Sequence, residues 1–133
     1  MKYILPLCLL ACTLACSSPT QAPQLTKKWM LHTVLRNGND VTERHNPNNE
    51  RWIEFQSDST FTSGGRPFGD NSGRWALETQ EQQQILYIYS NAGDDDDSSW
   101  IIQLTDSTME WRGIENSFAE QFVLTYRSAP EAQ

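Results

Sequence analysis

Hydrophobic and polar residues alternate with a period of two along most of the chain, beginning near residue 27. β-Branched and aromatic residues are frequent in these runs, and clusters of Gly, Asn, Asp or Ser bound each of them. Such alternation is typical of β-strands that have one buried face. The pattern predicts eight strands, at residues 27–36, 51–57, 60–64, 73–79, 85–90, 99–105, 108–113 and 118–127.

The links between the predicted strands indicate antiparallel neighbours. Residues 57–59 and 105–107 are tight-turn signals, and most other links are too short to hold a helical crossover. The long exception is the polar segment 37–50, which has room for a short turn of helix and is predicted to be a loop, or lid, after the first strand. Eight antiparallel strands in meander order close most economically into an up-and-down barrel, because closure removes exposed edges.

One face of each strand would line the interior of such a barrel. The predicted interior residues are Trp29, Leu31, Ile53, Phe55, Phe61, Trp75, Leu77, Leu86, Ile88, Trp100, Ile102, Leu104, Met109, Trp111, Phe122, Leu124 and Tyr126. An eight-stranded barrel is just wide enough to be filled by side chains or to hold one small ligand, so both outcomes are open. The candidate ligand contacts in the lumen are Trp29, Leu31, Phe55, Trp75, Ile88, Trp100, Trp111, Phe122 and Tyr126. His32, Arg112 and Glu120 are polar candidates for the rim, and each could equally face solvent.

The first sixteen residues contain all three cysteines and have the features of an export signal. Lys2 precedes an apolar run at residues 3–14, which is too short to span a bilayer as a helix, and a small residue stands before Cys16. The segment resembles a bacterial lipobox, which implies that Cys16 is acylated and becomes the mature N-terminus. Cys12 is the alternative, but it would leave a shorter apolar run; a plain secreted protein with an incidental cysteine is a further alternative.

These features divide the chain into four parts. Residues 1–15 are predicted to be a signal peptide, residues 16–24 the lipidated cysteine and a flexible tether, residues 25–128 the barrel, and residues 129–133 a C-terminal tail. With Cys16 acylated, the mature chain has no thiol left for a disulfide, so its core alone must hold the fold. The expected location is the cell envelope, lipid-anchored, with the outer membrane favoured over the inner membrane.

Charge and motif content exclude several classes of function. The net charge of −7 and the pI near 4.7 argue against nucleic acid as a partner, because phosphate binding needs clustered Lys and Arg. The acidic run at 93–99 lacks the spaced ligands of a calcium loop and is expected to be a solvated hairpin, so no metal site and no cofactor are predicted.

Catalytic chemistry has no support in the residue pattern. His32 and His45 are the only histidines, and neither a Gly-x-Ser-x-Gly elbow nor a His-Glu-x-x-His helix is present. His45 is expected to be exposed and to titrate freely. Glu50 and Glu54 could act as an acid and base pair, but no feature of the sequence brings them to a substrate. We therefore expect no enzymatic activity.

Several short stretches, taken in order and spacing, resemble the lipocalin-like domain of Bacteroidetes-type lipoproteins. They are residues 29–31, 53–61, 73–75, 102–105 and 124–127, and the resemblance covers nearly all of residues 25–128. Ser59 departs from the pattern, because this turn often has Gly. The resemblance implies a membrane-anchored barrel that binds a small apolar ligand. The alternative is a filled barrel that acts as a protein-interaction or structural module of the envelope, with partners that the sequence does not specify.

Overall fold

The computed structural model describes residues 22–130, so the predicted signal peptide, Cys12, Cys16 and the last three residues lie outside the described part of the chain. A helical turn, α1 (Ala22–Leu25), precedes the strands, and a second, α2 (Thr42–His45), follows the second strand. The strands are β1 (Lys28–Arg36), β2 (Asn39–Asp40), β3 (Trp52–Phe55), β4 (Thr60–Gly64), β5 (Asn71–Gln80), β6 (Gln83–Ser90), β7 (Ser98–Leu104), β8 (Thr108–Ile114) and β9 (Phe122–Ser128). None of the helices in residues 22–130 has the length and apolar character needed to cross a bilayer.

The strands form one antiparallel sheet that closes on itself. Each strand from β3 to β9 pairs with the next, while β1 pairs with both β3 and β9. The two-residue strand β2 pairs only with the end of β1, so eight strands form the barrel wall. The predicted fold class, an eight-stranded antiparallel barrel, is confirmed.

A β-bulge in β1 changes which side chains face the core. The pairing of β1 with β9 shifts between Leu31 and Thr33, which leaves His32 as the extra residue. Trp29 and Leu31 point inward before the bulge, and Val34 points inward after it. The strict alternation therefore missed Val34. Of the two outcomes left open for His32, the structure shows the solvent-facing one, because its side chain is exposed on the outside.

The last predicted strand begins later than expected. Ala119–Gln121 forms a 3₁₀ turn, and β9 starts at Phe122. The side-chain oxygen of Asn116 accepts the backbone N–H of Ala119 at 2.6 Å and starts this turn. A side chain at Gly113 would overlap the carbonyl of Ala119, so only glycine lets the turn pack this closely on β8.

The predicted interior matches the observed core. All of the predicted residues lie in the hydrophobic cluster or against it, although Leu77 and Leu104 are only half-buried. Leu25 and Val34 are added to it. At one end of the barrel, α1 and the turns at 56–59, 81–82 and 105–107 come together; at the other end lie the longer connections 65–70, 91–97 and 115–121 and the segment 37–51. We call these the closed end and the open end.

Candidate ligand-binding cavity

The half of the barrel next to the closed end is filled by side chains. Trp29, Phe55 and Leu25 are almost completely buried there, and the indole N–H of Trp29 donates to the Leu25 carbonyl at 3.0 Å. Trp75 packs edge-on against Phe55, with ring centroids 5.5 Å apart, and its N–H donates to the carbonyls of Gln56 and Thr60. The helical turn α1 covers the end of the predicted tether and the first predicted barrel residue, Leu25. Leu25 thus joins a plug in which the indole N–H groups of Trp29 and Trp75 have partners.

The other half contains a cavity of ≈430 Å³. Its apolar walls come from inward-facing side chains of seven strands, among them Leu31, Ile53, Ile88, Trp100, Trp111 and Tyr126. At the mouth it is bordered by Arg51, by residues of the 65–70 connection such as Phe68 and Asp70, and by Ala92 and Asp96 of the 91–97 connection. The volume falls in the range of about 300–1,000 Å³ that small-molecule sites in proteins have.

Three aromatic rings form one wall of the cavity. The ring centroid of Trp111 lies 4.7 Å from that of Tyr126 and 5.4 Å from that of Trp100. The N–H of Trp100 donates to the Ser98 hydroxyl at 2.8 Å. In contrast, the buried Nε1 of Trp111 has no hydrogen-bond partner among residues 22–130. An unpartnered buried donor is costly and uncommon in folded proteins.

Arg51 brings a positive charge to the mouth of this cavity. Its Nη1 donates to the His45 carbonyl at 3.0 Å, and its guanidinium carbon lies 4.5 Å from the centre of the Phe68 ring. Within the described residues, the only ion pairs are Arg66–Glu50 and Arg112–Glu110, so Arg51 has no carboxylate partner. The guanidinium is therefore held in place by a carbonyl and a ring, and most of its donors remain available.

Asn46 fixes the backbone from which Arg51 projects. Its side chain is buried; Nδ2 donates to the Leu31 carbonyl at 2.9 Å, and Oδ1 accepts the backbone N–H of Arg51 at 3.1 Å. The Leu31 N–H in turn donates to the Arg51 carbonyl. The Asn46 amide thus joins β1 to the chain entering β3, next to the bulge, where the regular ladder between them ends.

Burial shapes the ionisation of Tyr126 and Arg51. Burial raises the pKa of Tyr126 to about 12, and the positive charge of Arg51 opposes part of this rise. Burial also lowers the pKa of Arg51, with a smaller opposing effect from Tyr126. A guanidinium stays protonated at neutral pH despite such a shift. At neutral pH Arg51 is therefore a cation at the mouth, and Tyr126 in the cavity wall is a neutral phenol.

His45 was predicted to be exposed and freely titrating, and that prediction was wrong. Its ring is half-buried, stacked on Phe68 at 6.0 Å and set edge-on to Phe122 at 5.6 Å. Burial lowers its pKa, and the nearby positive charges of Arg51, Arg44 and Arg36 lower it further. The segment 37–50 predicted as a lid does lie at the open end, but its residues are absent from the cavity wall.

The structure distributes the nine lumen candidates over three places. Leu31, Ile88, Trp100, Trp111 and Tyr126 line the cavity. Trp29, Phe55 and Trp75 lie in the filled half, and Phe122 packs beside His45 and Phe118. A ligand-binding role for any of them stays a prediction. The rim candidates Arg112 and Glu120 do not reach the cavity: both are exposed, and Arg112 pairs with Glu110 on the outer face.

Arg51 is a charged residue of the mouth that was not among the rim candidates predicted from the sequence; Asp70 and Asp96 were not among them either. A signal for it exists, because residue 51 has the same parity as the inward-facing Ile53 and Phe55. Alternation alone places Arg51 on the interior side of the wall. No prediction was made for Arg51, and charged side chains usually face water, so alternation is the signal that could have found it.

The acidic run and the carboxylates form no recognisable site. Asp94–Asp96 is an exposed 3₁₀ turn, and the neighbouring Asp97 accepts the backbone N–H of Ser90. Within residues 22–130, no group of three or more His, Cys, Asp or Glu side chains is arranged to hold a metal ion. Glu50 is engaged with Arg66 at 3.1 Å on the surface.

The family model of the lipocalin-like domain matches residues 25–111 of this chain, well over half of its length. The chain belongs to the lipocalin-like domain family. The match runs from the closed-end plug to the middle of β8, so it includes β3 to β7 and the Arg51 region of this lipocalin-like domain. No curated protein matches the chain.

A solved structure shares the fold. The lipocalin-like domain is similar to the crystal structure of a DUF4847 family protein from Bacteroides vulgatus, with a TM-score of 0.57. The alignment covers 84% of this chain and 99% of the other, at 11% sequence identity. At this identity the likeness supports the barrel fold alone.

Proposed function

We propose that this lipocalin-like domain is a lipid-anchored binding protein that holds a small, largely apolar molecule in the open half of its barrel. The cavity of ≈430 Å³ is the observation that supports this proposal, because a barrel that serves only as a scaffold would be more stable with its interior filled. Empty apolar space forfeits packing contacts and lowers stability. The alternative of a filled barrel rests on a packed lumen, which is observed only next to the closed end.

The proposed anchor at Cys16 fits the position of the first described helix. The turn α1 ends at the closed end, where Leu25 is fully buried and Lys27 Nζ donates to the Asp106 carbonyl. A chain tethered to a membrane through residues before α1 would have its closed end attached and its mouth free to receive a ligand. We keep the outer membrane as the proposed location.

Ligand binding is tested with the mature chain, residues 16–133, made as Cys16→Ser so that it carries no lipid. Native mass spectrometry checks for a co-purified molecule, and tryptophan fluorescence follows titration with lipophilic compounds, because Trp100 and Trp111 line the cavity. The proposal predicts a bound molecule or a saturable change in emission. If fatty acids, sterols and haem all leave the emission unchanged and no ligand co-purifies, the binding function is refuted.

The anchor has a separate test in the full-length precursor. Cys16→Ser should move the protein from the membrane fraction to the soluble envelope fraction, and Cys12→Ser is the matched control that should not. Release by Cys12→Ser, with Cys16→Ser still lipidated, would assign the anchor to the other cysteine.

A further inference from the structure

The mouth of the cavity contains a positive charge that the described residues do not neutralise. Arg51 borders the cavity and is half-buried, yet the ion pairs in residues 22–130 involve other arginines. The Nη1 group of Arg51 donates to the His45 carbonyl, and its guanidinium lies over the Phe68 ring. The other N–H groups of the guanidinium have no hydrogen-bond acceptor among the described side chains or carbonyls. A half-buried cation in this condition is a ready site for an anion.

We propose that the molecule in the cavity is an amphipathic monocarboxylate, with its head group on Arg51 and its apolar body between the aromatic wall and Ile88. This inference rests on the proposed binding function and adds the chemistry of the ligand. The planar fork of a guanidinium matches the two oxygens of a carboxylate, which it can bind through two parallel N–H···O bonds. The phenol of Tyr126 also lines the cavity and is neutral at neutral pH, so it offers a second donor within the same space.

The charges around Arg51 favour a single negative charge on the ligand. Asp70 and Asp96 stand at the same mouth, and the whole chain has a net charge of −7. A phosphate monoester carries about −1.5 to −2 at neutral pH and would meet stronger repulsion than a carboxylate. A neutral alcohol of equal length would avoid that repulsion, but would form weaker hydrogen bonds to the guanidinium.

The cavity beyond Arg51 is suited to the apolar part of such a molecule. Leu31, Ile53 and Ile88 present aliphatic surface, and Trp100, Trp111 and Tyr126 present rings. In the filled half, the N–H groups of Trp29 and Trp75 are hydrogen-bonded to backbone carbonyls, and the two rings occupy the barrel interior between the cavity and the closed end. The depth available to the ligand therefore ends at the plug, which favours a short or compact apolar body over a long chain.

The test compares three probes that share one alkyl chain: decanoate, decanol and decyl phosphate. Binding to the mature Cys16→Ser chain is measured by isothermal titration calorimetry below the micelle concentration of each probe. We expect decanoate to bind at least about tenfold more tightly than decanol, since one charge-assisted hydrogen bond accounts for that ratio. Decyl phosphate should bind more weakly than decanoate.

Replacing Arg51 should remove the preference and leave the apolar site intact. For Arg51→Met we expect decanoate affinity to fall about 10- to 100-fold, with decanol affinity changed less than about threefold. Arg51→Lys keeps the charge without the fork and should give an intermediate loss. The matched control is Arg74→Met, which removes the same charge from an exposed position outside the cavity and should change neither affinity.

The outcomes separate this inference from the proposed function. If decanoate and decanol bind equally well, or if Arg51→Met preserves the preference for decanoate, the head-group assignment is refuted and the binding function stands. Tighter binding of decyl phosphate than of decanoate would refute the monocarboxylate class. If none of the probes binds and no ligand co-purifies, both are refuted. The decanoate-to-decanol ratio of the unmutated chain keeps the test decisive even if a variant at Arg51 fails to fold.

Discussion

Removing the buried amide of Asn46 should destabilise the barrel more than any other single truncation in the segment 37–50. Asn46→Ala deletes two hydrogen bonds, one to the Leu31 carbonyl at 2.9 Å and one from the Arg51 N–H at 3.1 Å. The Leu31 carbonyl and the Arg51 N–H then each lose their partner. Asn46 is only 2% exposed, so these two groups lie in a region that water does not reach.

The expected loss follows from the cost of unsatisfied groups. A buried donor or acceptor without a partner costs about 1–3 kcal/mol. The Leu31 carbonyl is deeply placed and the Arg51 N–H is partly buried, so we expect a total of about 2–4 kcal/mol. With a urea m-value of about 1–3 kcal/mol/M, typical of small domains, the unfolding midpoint should fall by about 0.7–4 M.

The assay is urea unfolding followed by tryptophan emission, with Asn48→Ala as the matched control. Asn48 lies in the same segment but is exposed, and its side chain forms no hydrogen bond to the described residues. Its replacement should change the free energy of unfolding by less than about 0.5 kcal/mol. If Asn46→Ala is no more destabilising than Asn48→Ala, the amide does not join β1 to β3 in the way we describe.

Two further predictions concern Tyr126 and Ser59. Because the pKa of Tyr126 is raised to about 12 in the folded protein, against about 10 in an unfolded chain, its contribution is complete below pH 10 and falls as the pH rises toward 12. Between pH 8 and pH 11.5, the ionisation of Tyr126 lowers the free energy of unfolding by about 2 kcal/mol. Urea unfolding at the two pH values should therefore show a smaller loss of stability for Tyr126→Phe than for the unmutated protein. Equal losses would contradict the raised pKa of Tyr126. Ser59 has φ = 69°, so Ser59→Gly should raise the thermal midpoint by a few degrees, for a gain of about 0.5–1 kcal/mol. Ser107→Gly, in a turn residue without positive φ, is the control that should lower the midpoint.

The fold could be predicted from the sequence because the signals for each strand, its alternation and its bounding turn residues, lie within the strand and next to it. Alternation identified the eight wall strands, and the turn residues limited how they could connect. The errors are local. The bulge at His32 reversed the parity of β1, and the side chain of Asn116 began a 3₁₀ turn where a strand was expected. Both depend on contacts with other elements, which no pattern within one strand records.

The candidate site was less accessible to prediction, for a different reason. Alternation shows that Trp75 and Trp111 face inward, but not at which level along the barrel axis each ring lies. That level depends on what each ring contacts: Trp75 packs on Phe55 and donates to the carbonyls of Gln56 and Thr60, whereas the Trp111 ring packs on Trp100 and Tyr126. The result is that Trp75 belongs to the plug and Trp111 to the cavity wall. A filled and a half-hollow barrel can therefore have the same inward-facing residues.

The polar groups of the interior give the clearest reason to regard the open half as functional. Next to the closed end, the N–H groups of Trp29 and Trp75 reach backbone carbonyls, as the core of a disulfide-free domain requires. Around the cavity, by contrast, the described residues supply neither an acceptor for the Trp111 N–H nor a carboxylate for Arg51. Arg51 and Trp111 both line the same cavity, and the N–H groups of Arg51 that have no acceptor are the donors that a ligand there can meet. A half-buried cation that lacks a counter-charge, in a core whose other polar groups are mostly satisfied, is expected where a ligand completes the structure.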